Sequence, residues 1–164
     1  MKKLYIARHA KSDWNNVLIS DFDRDLNDRG RKDVEKVAHN LYERKVCLDL
    51  ILSSPAKRAR LTAYSLADGL GYARTDIVFR DSIYESSSTN IIMIIKELDE
   101  KFKNVLLVGH NPSLTAVVDS IGEFNISNLP TCAVTAFDID SEWCKLSPKT
   151  TKFVFYVYPK NILV

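Results

Sequence analysis

Apolar residues along the 164-residue chain fall into short runs that switch between two periods. The run at Lys3–Ala7 is compact and ends at Arg8-His9, which predicts a short buried strand. After a polar loop, Val34, Val37, Ala38, Leu41 and Tyr42 recur at helical spacing and predict an amphipathic helix over 28–44. Leu48–Leu52 reads as a second strand. Ser54-Pro55 then reads as the start of a second helix, with serine as N-cap and proline at the first helical position, and Gly69 and Gly71 end it. Asp76–Phe79 predicts a short strand, 90–102 a third helix, and Asn104–Val108 a strongly apolar strand halted at Gly109-His110-Asn111-Pro112. Pro112 opens a fourth helix to about Ile121. Two β-branched and aromatic segments, Cys132–Asp138 and Lys152–Tyr158, predict the last strands. Trp143, Phe153, Phe155, Tyr156 and Tyr158 fit core or sheet-face packing. Strands alternating with helices imply an α/β sandwich around a largely parallel sheet.

Composition narrows the class. Hydrophobic residues make up 46% and charged residues 27%, which suits a single folded domain and excludes a disordered or collagen-like chain. No apolar run approaches the roughly 20 residues of a membrane helix. With 23 Lys+Arg against 21 Asp+Glu the net charge is only +2, so a dedicated nucleic-acid binder is not expected. Cys47, Cys132 and Cys144 form no C-x-x-C pair, and Arg8 stops the first apolar stretch too early for an export signal. The expected location is the cytoplasm, with reduced thiols. Three scattered histidines, His9, His39 and His110, lack zinc-ligand spacing, so no metal is expected. His39 reads as a surface residue on the first helix.

Charge is unevenly placed. Residues 1–82 hold 16 Lys+Arg and 12 Asp+Glu, whereas 83–164 hold 7 and 9. Every arginine lies at or before Arg80. Three predicted strands carry functional side chains at or just beyond their carboxyl ends: Arg8-His9, Ser53-Ser54-Pro55 with Arg58 following, and Gly109-His110. Ligands in open α/β sheets bind at those ends. If the strands are neighbours, two arginines and two histidines meet in one cleft, and two of the segments run into helix N-termini that favour anions. That combination suits phosphate.

The same residues carry a family resemblance. R-H-A-K-S-D-W-N at 8–15 resembles the R-H-G-x-S-x-W-N signature of the histidine phosphatase (phosphoglycerate-mutase-like) superfamily, and R-H-A-K-S is closer to its small SixA-like phosphohistidine phosphatase branch. The D-R-x-L-x-x-x-G run (Asp23, Arg24, Leu26, Gly30), S-S-P-x-x-R-A-x-x-T-A at 53–63 and V-G-H-N-P at 108–112 follow in family order. The resemblance implies a three-layer α/β/α sandwich with a six-stranded, mostly parallel mixed sheet and one late antiparallel strand. It implies His9 as nucleophile and Arg8, Arg58 and His110 as the phosphate pocket, with Ser12 and Asn15 as further candidates to contact phosphate or shape the loop. Lys11 stands where many members have an acid or glutamine and reads as a rim charge. The general acid departs from the pattern. Glu85, after Ile83-Tyr84, is either that acid or an exposed loop glutamate, and Asp13 and Asp21 are the alternatives in the first loop. No cofactor is required.

Three functions compete. The leading expectation is a metal-independent phosphatase working through phospho-His9 on the phosphohistidine of a phosphotransfer protein. The others are a small-molecule phosphate-ester phosphatase and a non-catalytic phosphate-binding module. Length favours the first: residues 1–164 fit one histidine-phosphatase domain, and neither 16–27 nor 122–130 reads as a cap over the site. No membrane or nucleic-acid partner is expected.

Overall fold

A computed structural model describes residues 1–162. Six strands form one sheet: β1 (Lys2–Arg8), β2 (Leu50–Ser53), β3 (Val78–Phe79), β4 (Asn104–Gly109), β5 (Val134–Ile139) and β6 (Thr151–Val157). Their order is β3-β2-β4-β1-β5-β6. The first four strands run parallel, whereas β5 is antiparallel to both β1 and β6. The four helices are α1 (Asp28–Glu43), α2 (Lys57–Leu70), α3 (Ser88–Lys96) and α4 (Ser113–Gly122).

The sheet is covered on both faces, and this explains the near-continuous apolar strands. Tyr5 and Ala7 of β1, with Leu106 and Val108 of β4, pack beneath Val34, Val37 and Leu41 of α1 and Ala63 and Leu66 of α2. Leu4 and Ile6, with Val105 and Leu107, face Ile91 and Ile95 of α3 and Val117 and Ile121 of α4. The three-layer expectation is thus met. Trp143 is fully buried in the second layer, its Nε1–H donating to the Phe102 carbonyl at 2.9 Å, whereas Phe153 is partly exposed on β6. No helix among the described residues is long and apolar enough to cross a membrane.

Several boundaries differ from the periodic reading, each for a local reason. α2 begins at Lys57 with Ala56 as its cap, not at Ser54-Pro55. Ser54 instead prolongs the sheet, its N–H donating to the Val108 carbonyl at 3.0 Å, and its hydroxyl is engaged elsewhere. Gly71, at φ 69°, ends α2 in the left-handed region glycine tolerates, while Gly69 stays inside the helix against Ala38. α3 is shorter than 90–102. It starts after the Ser87 cap, whose Oγ accepts from the Asn90 N–H, and it ends at Lys96. Beyond it the Glu100 carboxylate is drawn to Lys2 at 2.7 Å and to the Trp143 N–H at 2.6 Å.

Candidate active site

β2, β4 and β1 are adjacent, so the three chemistry-bearing strand ends do converge. Arg8 sits opposite Gly109 in the parallel ladder. One residue on, the His9 N–H donates to the Gly109 carbonyl at 3.0 Å, and the His9 carbonyl accepts from the Cys132 N–H at 3.0 Å. The nucleophile candidate is therefore gripped through its backbone from both sides. The Ala10 N–H donates to Thr62 Oγ1 at 2.9 Å, and that hydroxyl donates to the Arg58 carbonyl at 2.7 Å, linking the turn after β1 to the first turn of α2. Gly30 lets α1 approach the same turn. A Cβ there would lie 2.1 Å from the Lys11 carbonyl oxygen, so no larger residue fits without displacing the loop.

These elements enclose a cavity of about 270 Å³ whose lining includes Arg8, His9, Ser12, Arg24, Arg58 and His110, with Lys11 and Trp14 at its edge. The two imidazoles lie 5.2 Å apart between ring centroids. His9 Nδ1 is 2.7 Å from the Ala10 carbonyl oxygen. A carbonyl only accepts, so Nδ1 carries the proton and Nε2 keeps its lone pair. His110 Nε2 lies 2.7 Å from Ser54 Oγ, and the same oxygen accepts the Ala56 N–H at 3.2 Å just before α2. Burial pushes His9 down to about 3, with His110, Arg58 and Arg8 adding to the effect against the Ala10 hydrogen bond. Burial, then Arg58, lowers His110 to about 4. Both rings are neutral at pH 7.

Three arginines converge on the cavity with donors to spare. Arg8 Nη1 donates to the Leu129 carbonyl at 2.9 Å. Arg58 donates through Nη1 to the Asp21 carbonyl at 2.6 Å and through Nη2 to its carboxylate at 3.1 Å. Arg24 reaches the same carboxylate at 3.1 Å, donates to Ser12 Oγ and stacks 3.5 Å from the Trp14 ring centroid. The Nε–H groups of Arg8, Arg24 and Arg58 and the Nδ1 of His110 are buried and unpartnered. They make up four of the five such side-chain atoms among the described residues. Unpartnered buried polar atoms are costly, and their concentration around this cavity suits a bound oxyanion.

Asp21 is the hub of this loop. Its carboxylate also accepts from the Tyr84 hydroxyl at 2.7 Å, and the Tyr84 ring meets His110 edge-on, 5.6 Å between centroids. Burial works against the Asp21 charge, but the hydrogen bonds from Tyr84, Arg24 and Arg58 outweigh it and hold the carboxyl well below the usual range. Burial, then the bond to Asp21, raises the Tyr84 phenol to about 12.

Of the acid candidates, Asp21 is thus an ionised acceptor for Arg24 and Arg58 and does not itself line the cavity. Glu85 is exposed, at φ 52°, and does not line the cavity. Asp13 accepts the Asn15 N–H, and Asn15 is exposed outside the lining. Ser12 lies inside, buried against Arg24. His39 is exposed beside Glu43. Sequence reading missed Arg24, Ser54, Thr62 and Tyr84 as site residues. Arg24, Ser54 and Thr62 all stand within the motif runs, which was the available signal.

The depressed histidines give stability a pH dependence of definite sign. In the unfolded chain both rings take up protons below their ordinary value of 6.5, whereas the folded rings stay neutral until about 4 and about 3. Their contribution is complete above pH 6.5 and is lost as the pH falls through 6.5 toward 3, at up to about 1.4 kcal/mol per pH unit for each ring. Urea denaturation at steps from pH 7.5 to 4.5 should show falling stability, with a shallower slope in His110→Gln. An equal slope in the variant contradicts the assignment.

The sequence profile of the Histidine phosphatase superfamily (branch 1) matches residues 4–91. The chain belongs to this superfamily. The matched span includes Arg8, His9 and Arg58, while His110 lies beyond it. A relative from Hydrogenobacter thermophilus, named phosphoserine phosphatase 1, is 35% identical over 105 residues, covering 62% of this chain and 47% of that protein. The chain spans about half the length of the first curated relatives it matches. A crystal structure from Agrobacterium tumefaciens, provisionally named a phosphohistidine phosphatase SixA, superposes with a TM-score of 0.84 at 29% identity, over 96% of this chain and 98% of that one. A protein histidine phosphatase SixA complexed with tungstate has the same fold, with a TM-score of 0.81 at 20% identity over 97% and 98% of the two chains.

Proposed function

We propose that this protein is a phosphatase that carries phosphate transiently on His9 and takes it from phosphohistidine on a protein. In this reading the lone pair of His9 Nε2 attacks phosphorus, a P–N bond forms, and the P–N bond to the substrate imidazole breaks. The departing nitrogen takes up a proton. Arg8, Arg24 and Arg58 hold the three equatorial oxygens, where charge stabilisation dominates catalysis. Water then displaces His9 from phosphorus, orthophosphate leaves, and the ring returns to its neutral state.

The observation that carries the substrate class is the cavity lining. It contains no carboxyl group. Asp21, the carboxylate bound to Arg24 and Arg58, is ionised and has no proton to give. An imidazole leaving group, with a reference pKa of about 6.5, needs far less protonation than an alkoxide. Segments 16–27 and 123–133 contain no helix, and the only strand-type pairing in either is the Leu26 bridge to Ser12, which suits a phosphate presented by a protein. A second reading, hydrolysis of small phosphate esters, is favoured by the likeness to the relative named phosphoserine phosphatase. It needs a proton donor, and Glu85 is the candidate nearest along the chain to Tyr84.

The test is direct. A histidine-phosphorylated phosphotransfer domain, mixed with the protein and quenched early in alkali, should leave label on this chain at His9. Steady-state assays should then rank that domain above p-nitrophenyl phosphate, phosphoserine and sugar phosphates. Ester kcat/KM exceeding that of phosphohistidine by more than about tenfold overturns the substrate class. Absence of label together with absence of turnover overturns the activity.

A further inference from the structure

Among the described residues, eleven large apolar side chains stand exposed, and five of them belong to one loop: Trp14, Val17, Leu18, Ile19 and Phe22. Val17 and Leu18 are 92% exposed and Trp14 is 74% exposed. Such clustering marks an interaction surface. The loop is anchored. Asp21 is tied to Arg58, Arg24 and Tyr84, the Phe22 carbonyl accepts from the Lys57 N–H at 2.9 Å, and the Phe22 ring packs edge-on against Tyr84. Beneath it lies a second hollow of about 280 Å³, lined by Trp14, Asn16, Val17, Ile19, Asp21 and Arg24. Trp14 and Arg24 line both this hollow and the phosphate cavity, so the two are neighbours across one wall.

We propose that this loop is a docking ridge for an α-helix of the phosphoprotein, and that the second hollow receives an apolar side chain one helical turn from the phosphorylated residue. The proposal rests on the phosphohistidine reading above. Side chains at i and i+3 or i+4 lie about 5–6 Å apart on one face of a helix, so a helix can offer two neighbouring side chains to two hollows that share Trp14 and Arg24. A helix also presents its apolar and phosphorylated positions on one face, as helix-in-groove recognition demands. Charge agrees with that occupant. The cavity is cationic, through Arg8, Lys11, Arg24 and Arg58, and takes the phosphate. Along the chain the ridge is bracketed instead by Asp13 and Asp23, and residues 14–22 carry no Lys or Arg, which disfavours an anionic lipid surface.

The double variant Val17→Ser/Ile19→Ser separates docking from chemistry, since neither residue lines the phosphate cavity. Two substrates are compared: a histidine-phosphorylated four-helix phosphotransfer domain and free N-phosphohistidine. The domain should lose at least about tenfold in kcat/KM, mainly through KM, while free phosphohistidine stays within about twofold. Equal losses on both substrates, or no loss on either, overturn the proposal. So does a wild-type dimer that the variant dissolves in sedimentation, or variant-sensitive binding to phosphatidylserine vesicles, because the ridge is then covered by something else. Wild-type turnover of free phosphohistidine with no preference for the domain sinks the ridge alone. Wild-type turnover of neither sinks the functional reading and the ridge with it.

Discussion

His9→Ala should abolish the labelled intermediate and lower turnover by at least about four orders of magnitude, as removal of a nucleophile does in enzymes of covalent mechanism. The expectation depends on the ring's surroundings. His9 is 6% exposed, its Nδ1 proton is committed to Ala10, and Nε2 is the only nitrogen left with a lone pair. Alanine also leaves the buried Ala10 carbonyl without its partner, at a cost of about 1–3 kcal/mol in stability. Circular dichroism and phosphate binding should therefore accompany the assay. A folded His9→Ala protein that still binds phosphate but takes no label supports the assignment; one that keeps about 1% of wild-type turnover, or is labelled elsewhere, defeats it.

The next largest effect belongs to Arg58. Arginines that stabilise phosphoryl-transfer charge contribute about 10³–10⁵ in rate, and Arg58→Ala should lose within that range. In the proposed reading this guanidinium has two tasks, since both terminal nitrogens hold Asp21 while the group also lines the cavity that takes the phosphate. Arg58→Lys should rescue little. A single ammonium cannot span the Asp21 carbonyl, its carboxylate and a phosphoryl oxygen in one geometry. Arg58→Ala also removes a counter-charge from Asp21, so protease sensitivity of the 12–25 loop should rise in that variant. An Arg58→Lys protein within about tenfold of wild type indicates that charge alone suffices and that the forked geometry is unimportant.

How much of this was legible beforehand varies with burial. β1 and β4 stand out because both their faces are covered, leaving unbroken apolar runs that end in Arg8-His9 and Gly109-His110. The strand β3 shrinks to Val78–Phe79, since Arg74–Asp76 forms a 3-10 turn that takes up the start of the predicted stretch. Ser54-Pro55 looks like a helix start because the same hydroxyl that suits an N-cap also suits an imidazole, and local sequence does not record which partner is nearer. The Asp21 hub was the least visible part. Its bond to Tyr84 spans 63 positions, and its loop has no period for a pattern to reveal. The paired arginines and histidines were visible because strand ends place side chains by rule. The third arginine was not, because loop conformation does not.

The two backbone hydrogen bonds that hold His9 have a consequence for how this protein could change over generations. A residue bonded on both sides at the sheet's centre opens only when the sheet itself opens, so its geometry is insured by the stability of the whole domain. Val17 and Leu18 carry almost no buried area, and altering them exposes nothing new. Selection can thus rewrite what the loop touches at negligible thermodynamic penalty, while drift at the strand ends is purged through misfolding.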